Sequence, residues 1–257
     1  MLRALVTGGT SGIGAAFAKA FATRGMDLVL VARDGARLES FADQLRSQYD
    51  VTVETIQADL VDHAAQDRVA ARLEQDPPVD VLVNNAGFSV RTDILGPDLS
   101  LHDDGFSVMC RAVLHLSAAA GRTMSARGRG WIINVTSTSA FVPQNNYSAM
   151  KAWAQTYTEA LAVRLAGTGV TVTALAPGWV RTEFHSRAGI TGSSIPKFLW
   201  LDPDKLVQEC LRDVAAGKVI SIPSLRFKLI VAGSRLAPRT AIRRLSAWLT
   251  ARRSREK

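Results

Sequence analysis

The sequence predicts a single doubly wound α/β domain, a mostly parallel seven-stranded sheet with helices on both faces, and three observations lead there. Short apolar, β-rich runs alternate with longer segments of helical periodicity. Several of these runs, such as Leu28-Val29-Leu30-Val31 and Val81-Leu82-Val83, are apolar throughout, as strands covered on both faces are. A chain of 257 residues suits one large domain and lacks room for two of ordinary size.

Strands are expected at 3–7, 27–32, 52–57, 79–84, 131–136, 170–175 and 218–222. Helices are expected at 12–24, 35–49, 63–75, 105–126 and 147–166, the first rich in alanine and the last closed by Gly167 and Gly169. No repeat or low-complexity linker interrupts the series. Two connections are long: 88–104 after the fourth strand and 183–204 after the sixth. The second contains Phe198, Leu199 and Trp200, and reads either as a substrate lid or as a surface loop with apolar anchors. The expected division is a domain over 1–224, with its lid at about 183–204, and a basic amphipathic extension over 225–257 packed on or beside it.

Composition narrows the function classes. With 47% apolar and 21% charged residues the chain can build a core, which excludes extensive disorder. Cys110 and Cys210 lie far apart with no clustered partners, so neither a disulfide framework nor a thiolate metal site is expected. His63, His102, His115 and His185 show no ligand spacing, and no metal is expected; only His185 falls in the candidate lid. No apolar run reaches the roughly 18 residues that cross a bilayer, and the strand-like start after Met1 leaves no space for a secretory signal. A cytoplasmic address is the expectation, which makes the sequon-like Asn134 and Asn146 coincidences. The net charge of +8 is local: residues 225–257 carry +9 and the rest −1. Nucleic acid is therefore not an expected partner of the main body.

The first expected strand runs into Thr7-Gly8-Gly9-Thr10-Ser11-Gly12-Ile13-Gly14 and then a helix. In that context Gly8 would permit a tight turn, Gly12 a close approach of backbone to a pyrophosphate, and Gly14 close packing of helix on strand, while the helix N-terminus offers N–H groups to phosphate. Taken alone, three glycines also fit a purely structural turn. Arg33 follows the second strand, where an arginine accommodates a ribose 2′-phosphate and a carboxylate would favour a free hydroxyl. NADP(H) is the preferred cofactor on this reading; neighbouring Asp34 keeps NAD(H) as an alternative.

The glycine spacing, GxxxGxG, resembles the TGxxxGIG motif of the short-chain dehydrogenase/reductase family, a Rossmann-fold family. Further motifs follow in family order: Asp59-Leu60, Asn84-Asn85-Ala86-Gly87, Ser137, Tyr147-Ser148-Ala149-Met150-Lys151, and Pro177-Gly178-Trp179-Val180-Arg181-Thr182. The resemblance spans residues 1 to about 185. It implies that the cofactor is held by Gly8, Thr10, Ser11, Gly12, Ile13, Gly14, Arg33, Asp59, Leu60, Asn85, Ala86, Gly87, Tyr147, Lys151, Pro177, Gly178, Val180 and Thr182.

Tyr147 and Lys151 are four apart and share one helix face. A free tyrosine titrates near about 10, and bringing it to neutrality takes roughly 4 kcal/mol of differential stabilisation. A nearby ammonium is expected to supply part of this. Without the resemblance, the pair would read as an amphipathic rim. The resemblance makes Tyr147 the acid/base, Lys151 the group that holds the nicotinamide ribose and tunes Tyr147, and Ser137 the residue that polarises the reacting oxygen. Only ten positions separate Ser137 from Tyr147, which implies a shortened loop around Phe141-Val142-Pro143. One position departs from the family: Met109 stands where many members carry a catalytic asparagine, and a thioether cannot donate as a carboxamide does.

Residues 225–249 mix Leu225, Phe227, Leu229, Ile230, Val231, Leu236, Ile242, Leu245, Trp248 and Leu249 with arginines. Two readings stand: a helix over the substrate pocket with a solvated basic face, or a peripheral contact with an anionic membrane. The function expected is an NADPH-dependent oxidoreductase that interconverts a carbonyl and an alcohol on a small, apolar substrate, working as a homodimer or homotetramer. The rival is a nucleotide-binding regulatory or scaffold protein, favoured by Met109. A sugar-nucleotide epimerase would need a larger substrate region.

Overall fold

The computed structural model describes residues 1–90, 92–182, 196–244 and 246. Seven strands form one sheet, all parallel: β1 (Arg3–Thr7), β2 (Asp27–Ala32), β3 (Val53–Gln57), β4 (Val81–Asn84), β5 (Gly130–Val135), β6 (Val170–Leu175) and β7 (Ile220–Ser221). Their order is β3-β2-β1-β4-β5-β6-β7. The chain builds outward from β1 in one direction, then crosses to β4 and builds in the other. Such a reversal opens a crevice at the carboxyl ends of β1 and β4.

Between the strands run α1 (Gly12–Ala22), α2 (Gly35–Gln48), α3 (His63–Leu73), α4 (Ser100–Phe106), α5 (Ala112–Arg127), α6 (Asn146–Arg164) and α7 (Pro203–Ala215), and α8 (Leu225–Leu236) follows β7. Strand alternation divides the core in two. Ala4 and Val6 of β1 face one side, where Phe17 and Phe21 of α1 stack and Leu206 and Cys210 of α7 pack; Leu5 faces the other, with Val69, Leu116 and Met124. β2 is buried at all six positions, which is why its apolar run has no polar alternation.

Side-chain caps set the helix starts. Asp34 accepts from the Arg37 N–H, Asp62 from Ala64 and Ala65, and Asp202, ahead of Pro203, from Asp204 and Lys205. Asn145 and Ser148 form a reciprocal capping box on α6.

The architecture matches the expectation, and the differences are local. β7 pairs at only two positions, Ala174↔Ile220 and Leu175↔Ser221, shorter than the expected 218–222. The expected helix 105–126 begins earlier, as α4, and passes through a π-helical segment, Ser107–Arg111, before α5. α7 was not expected, and it claims Pro203 and Asp204 from the candidate lid. Of that lid, 183–195, with His185, lies outside the described residues. Its base is anchored where Val180 pairs with Leu201 and the Trp179 and Trp200 rings sit 6.2 Å apart. Both cysteines are free and buried. Among the described residues no helix is long and apolar enough to cross a membrane, and no group of three metal-ligating side chains forms.

Candidate active site

The carboxyl ends of β1, β2, β4, β5 and β6 surround a cavity of about 910 Å³, room enough for a dinucleotide's reactive half and a small substrate. At the β1 end the backbone turns through Gly8 and Gly12 at φ +63° and +54°, a left-handed conformation that a side chain strains. Gly14 does not line the cavity; it lets α1 pack on the turn, since a Cβ there would lie 2.2 Å from the Gly8 carbonyl oxygen.

Ser11, the N-cap of α1, makes no side-chain cap bond. Unlike the helices capped by Asp or Asn, α1 thus leaves its first-turn N–H groups, which border the cavity at Gly12 and Ile13, unclaimed by its own cap side chain. An anionic group fits such a terminus.

The turn is held from β4. Thr7 Oγ1 accepts from the Asn85 and Ala86 N–H groups at 2.9 and 3.1 Å, and Asn85 Nδ2 donates to the Thr7 and Gly8 carbonyl oxygens at 2.9 and 3.2 Å. Two motifs distant in sequence are therefore one unit in space. Arg37 of α2, which sequence reading passed over, adds a hydrogen bond from its Nε to the Thr10 carbonyl oxygen at 3.3 Å.

Of the expected cofactor residues, Thr10, Ser11, Gly12, Ile13, Arg33, Asp59, Leu60, Asn85, Ala86 and Gly87 line one end of this cavity, and Pro177, Gly178, Val180 and Thr182 line its β6 wall. Arg33 is largely exposed, with its guanidinium 3.9 Å from the Asp59 carboxylate. The Asp34 carboxylate is turned to its own helix, capping α2 through the Arg37 N–H at 3.0 Å, so it is not the group that follows β2 into the cavity. The residues present fit a dinucleotide: a glycine turn free of side chains, an uncapped helix terminus and an arginine at the end of β2.

Ser137, Tyr147 and Lys151 line the same cavity. Ser137 ends the β5 connection and caps a short 3₁₀ helix, Thr138–Phe141, which is how the shortened loop reaches α6. Tyr147 sits in the first turn of α6 and shares a hydrogen bond with Ser137. Lys151, one turn on, is buried and donates from Nζ to the Val135 carbonyl oxygen at 2.8 Å; its nitrogen lies 5.8 Å from the Tyr147 ring centroid. Deeper on α6, Thr158 accepts from Asn134 Nδ2 at 3.0 Å, and Asn134 accepts from Asn84 at 2.9 Å, a buried chain that ties the helix to β5 and β4.

Burial dominates the electrostatics of the Tyr147/Lys151 pair. Burial pushes the Tyr147 phenol up to about 12, against the bond with Ser137 that works the other way, and burial pulls the Lys151 ammonium down to about 8. For the phenol, desolvation outweighs the Ser137 hydrogen bond. Burial thus favours the neutral phenol at Tyr147.

Met109 lies in the π-helical segment, 1% exposed. Its Cγ and Sδ approach within 3.4 Å of where a Gly87 Cβ would be, and Lys151 Nζ within 3.7 Å. The thioether thus fills the space behind Gly87 on the lysine side, and no carboxamide stands there. The adjacent Cys110 is buried, its thiol pushed up to about 11 by desolvation with Lys151 opposing.

Sequence reading singled out the lid, the motif after β6 and the tail helix, but not Phe88, Val90 and Val108. Phe88, Val90, Val108, Val142, Trp179, Leu199, Phe227 and Ile230 line the cavity beyond the tyrosine. They come from loops, from the π-helical segment and from α8, where periodicity carries no signal of what faces a cavity.

With this geometry, comparison with known proteins is decisive. The short chain dehydrogenase model matches residues 3–190. The chain belongs to the short chain dehydrogenase family. It is accordingly an NAD(P)-dependent oxidoreductase, and its fold is that family's Rossmann-type sheet. It is 40% identical over 185 residues to galactitol 2-dehydrogenase (L-tagatose-forming) of Cereibacter sphaeroides, covering 70% of this chain and 72% of that protein. Among solved structures it resembles a short-chain dehydrogenase from Sphingobium yanoikuyae in complex with NADPH, with a TM-score of 0.84 and 34% identity over 91% of this chain and 93% of that one. A bulky-bulky ketone specific alcohol dehydrogenase from Comamonas testosteroni gives a TM-score of 0.79 at 30% identity, covering 91% of this chain and 92% of that one.

Proposed function

We propose that this short chain dehydrogenase interconverts a ketone or aldehyde and an alcohol, using NADP(H), on an apolar substrate. The observation that carries the reading is the convergence of Ser137, Tyr147 and Lys151 on one cavity whose far wall is apolar. When bound, the dinucleotide supplies or takes up the hydride. The chain's own residues do the rest. Ser137 and Tyr147 present hydroxyls to the substrate oxygen; Tyr147 hands over its proton as the carbonyl is reduced and takes one back in the reverse direction. Lys151, held on the Val135 carbonyl oxygen, keeps a cation beneath the phenol and a donor within reach of a ribose.

Apolar walls favour a hydrophobic carbonyl compound, and the Comamonas enzyme's bulky ketones point the same way; the galactitol enzyme is the counter-example, with a polyol. NADPH oxidation against ketones graded in chain length tests this reading, which expects kcat/KM to rise with chain length. A substrate preference for polyols would overturn it.

Arg33 supports NADP(H), and the Sphingobium structure contains NADPH. Arg33→Ala is expected to weaken NADPH by about tenfold to a hundredfold, the worth of a charge-assisted contact, and NADH by far less. Fluorescence titration of both cofactors measures it, and equal loss for the two would refute the assignment. The address we infer is cytoplasmic, and the assembly a homodimer or homotetramer through α5 and α6, where Leu114, Trp153 and Val163 are exposed.

A second reading, a nucleotide-bound regulatory protein with weak turnover, has one observation in its favour, Met109. Met109→Asn separates the two. The enzyme reading expects kcat to stay within about threefold, with about 1–3 kcal/mol of stability lost to a carboxamide in an apolar slot. A rise in kcat of about tenfold or more would instead show an impaired proton relay and favour the second reading.

A further inference from the structure

α8 has two apolar faces, and the fold uses one. Phe227 and Val231, each 3% exposed, turn inward, and Phe227 lies so close to Gly178 that a Cβ there would meet its ring at 2.1 Å. Leu225, Leu229 and Leu236 fall within about 40° of one another around the helix, opposite Phe227. They are 70%, 66% and 87% exposed. A helix at a protein surface needs one apolar stripe; the second faces outward.

Cations flank the outer stripe, Arg226 on one side and Lys228 and Arg235 on the other, and exposed Arg239, Arg243 and Arg244 follow. From 225 to 244 there is no acidic residue. Three contacts hold the helix in this orientation: Lys228 pairs with Glu209 at 3.0 Å, Arg226 bonds to the Phe198 carbonyl oxygen and stacks on its ring, and Arg235 lies over the Phe141 ring at 4.8 Å. Phe198, itself 60% exposed, extends the apolar surface. Ile230, on the side of α8 between Arg226 and Phe227, and Leu199 line the active-site cavity.

We propose that this outer face of α8, with Phe198 and the arginines at 239–244, docks on an anionic membrane surface. Leucines enter the headgroup boundary while the exposed Arg239, Arg243 and Arg244 that follow the stripe meet lipid phosphates, and Arg226 and Arg235 add to the positive surface from their places on the protein. Charge selects this occupant over a second copy of the chain. A twofold contact through the stripe would bring the cations around it, Arg226, Arg235 and Arg239, up to those of the other copy, whereas an anionic surface neutralises them. The docked orientation puts the cavity mouth at the boundary in which apolar carbonyl compounds dissolve. This last step rests on the apolar-substrate reading above, and the docking itself does not.

The test is co-sedimentation of the full chain with phosphatidylglycerol/phosphatidylcholine vesicles and with phosphatidylcholine alone, without substrate, together with light scattering in the absence of vesicles. Partitioning is expected to be at least about tenfold stronger on the anionic vesicles and to fall with salt. The triple variant Leu225→Ser/Leu229→Ser/Leu236→Ser is expected to lose about tenfold or more. Its NADPH-dependent turnover of a water-soluble ketone should match wild type, showing an intact fold. Three results would overturn the proposal: no binding by wild type, equal binding by the triple variant, or a wild-type dimer that the triple variant abolishes. Turnover of long-chain ketones that fails while vesicle binding persists would strike the substrate reading alone.

Discussion

Tyr147→Phe lowers kcat for carbonyl reduction by about 10²–10⁴-fold and leaves cofactor affinity near wild type. Phenylalanine keeps the ring that packs on the core and removes only the hydroxyl, so the loss reads out the proton and not the fold. Burial holds the phenol at about 12, so Tyr147 stays protonated across the working range and does not set the pH profile of reduction. Lys151 does, because burial lowers it from the ordinary 10.5 to about 8. The cation is present below that value and lost above it. The wild-type reduction rate is therefore expected to fall as pH rises through about 8, measured by NADPH absorbance from acid to alkaline buffers. A variant that reduces ketones at the wild-type rate would remove Tyr147 from the mechanism. A profile flat through that range would remove Lys151 from its control.

Gly14→Ala abolishes dinucleotide binding and lowers the melting temperature. The new Cβ would lie 2.2 Å from the Gly8 carbonyl oxygen and 2.5 Å from Asn85 Nδ2, both parts of the unit that joins β1 to β4. Backbone cannot rotate away as a flexible side chain would, so either α1 lifts from the sheet or the turn opens. Overpacking of this kind costs about 1–3 kcal/mol or more, and it falls on the terminus that faces the phosphates. Affinity for NADPH is expected to drop by more than about a hundredfold, the loss of several charge-assisted hydrogen bonds. Gly25→Ala is the internal comparison. Unlike Gly14, it has a positive φ, +70°, and nothing lies within 4 Å of the added atom, so its cost is the backbone strain of about 1–2 kcal/mol alone. Thermal denaturation and NADPH titration of both variants separate crowding from strain, and equal behaviour would show that the approach of α1 to the turn does not matter.

What could be read from the sequence was what short-range chemistry dictates. β2 was legible because burial on both faces demands an unbroken apolar run, and the glycine turn because only glycine takes its φ angles. β7 was over-read: the apolar pattern at 218–222 continues past the two positions that β6 pairs with, and Pro223 follows without an N–H to donate. α7 was missed although Asp202-Pro203 is a helix start and Leu206, Val207, Cys210, Leu211 and Val214 form an apolar stripe, because the aromatic stretch before it drew its first residues into a lid. In the active site, pairing of Tyr147 with Lys151 was visible and the direction of their titration was not, since desolvation depends on what packs around them from β5 and the π-helical segment. α8 shows the same limit. Periodicity reveals that Phe227/Val231 and Leu225/Leu229/Leu236 are two stripes, but only tertiary contacts determine which one is covered.

The anchoring of Lys151 on the Val135 carbonyl oxygen, backed by the Asn84–Asn134–Thr158 chain, mounts the proton donor on the sheet itself. Much of the hydrophobic wall comes from other material: the residues around the parallel Val180–Leu201 bridge and α8. The proposed proton donor and much of the proposed substrate wall thus sit on different parts of the polypeptide. Grafting a different terminal segment onto the same sheet would change which molecules are accepted without moving the tyrosine, so the molecule divides naturally into a reaction platform and an exchangeable sleeve.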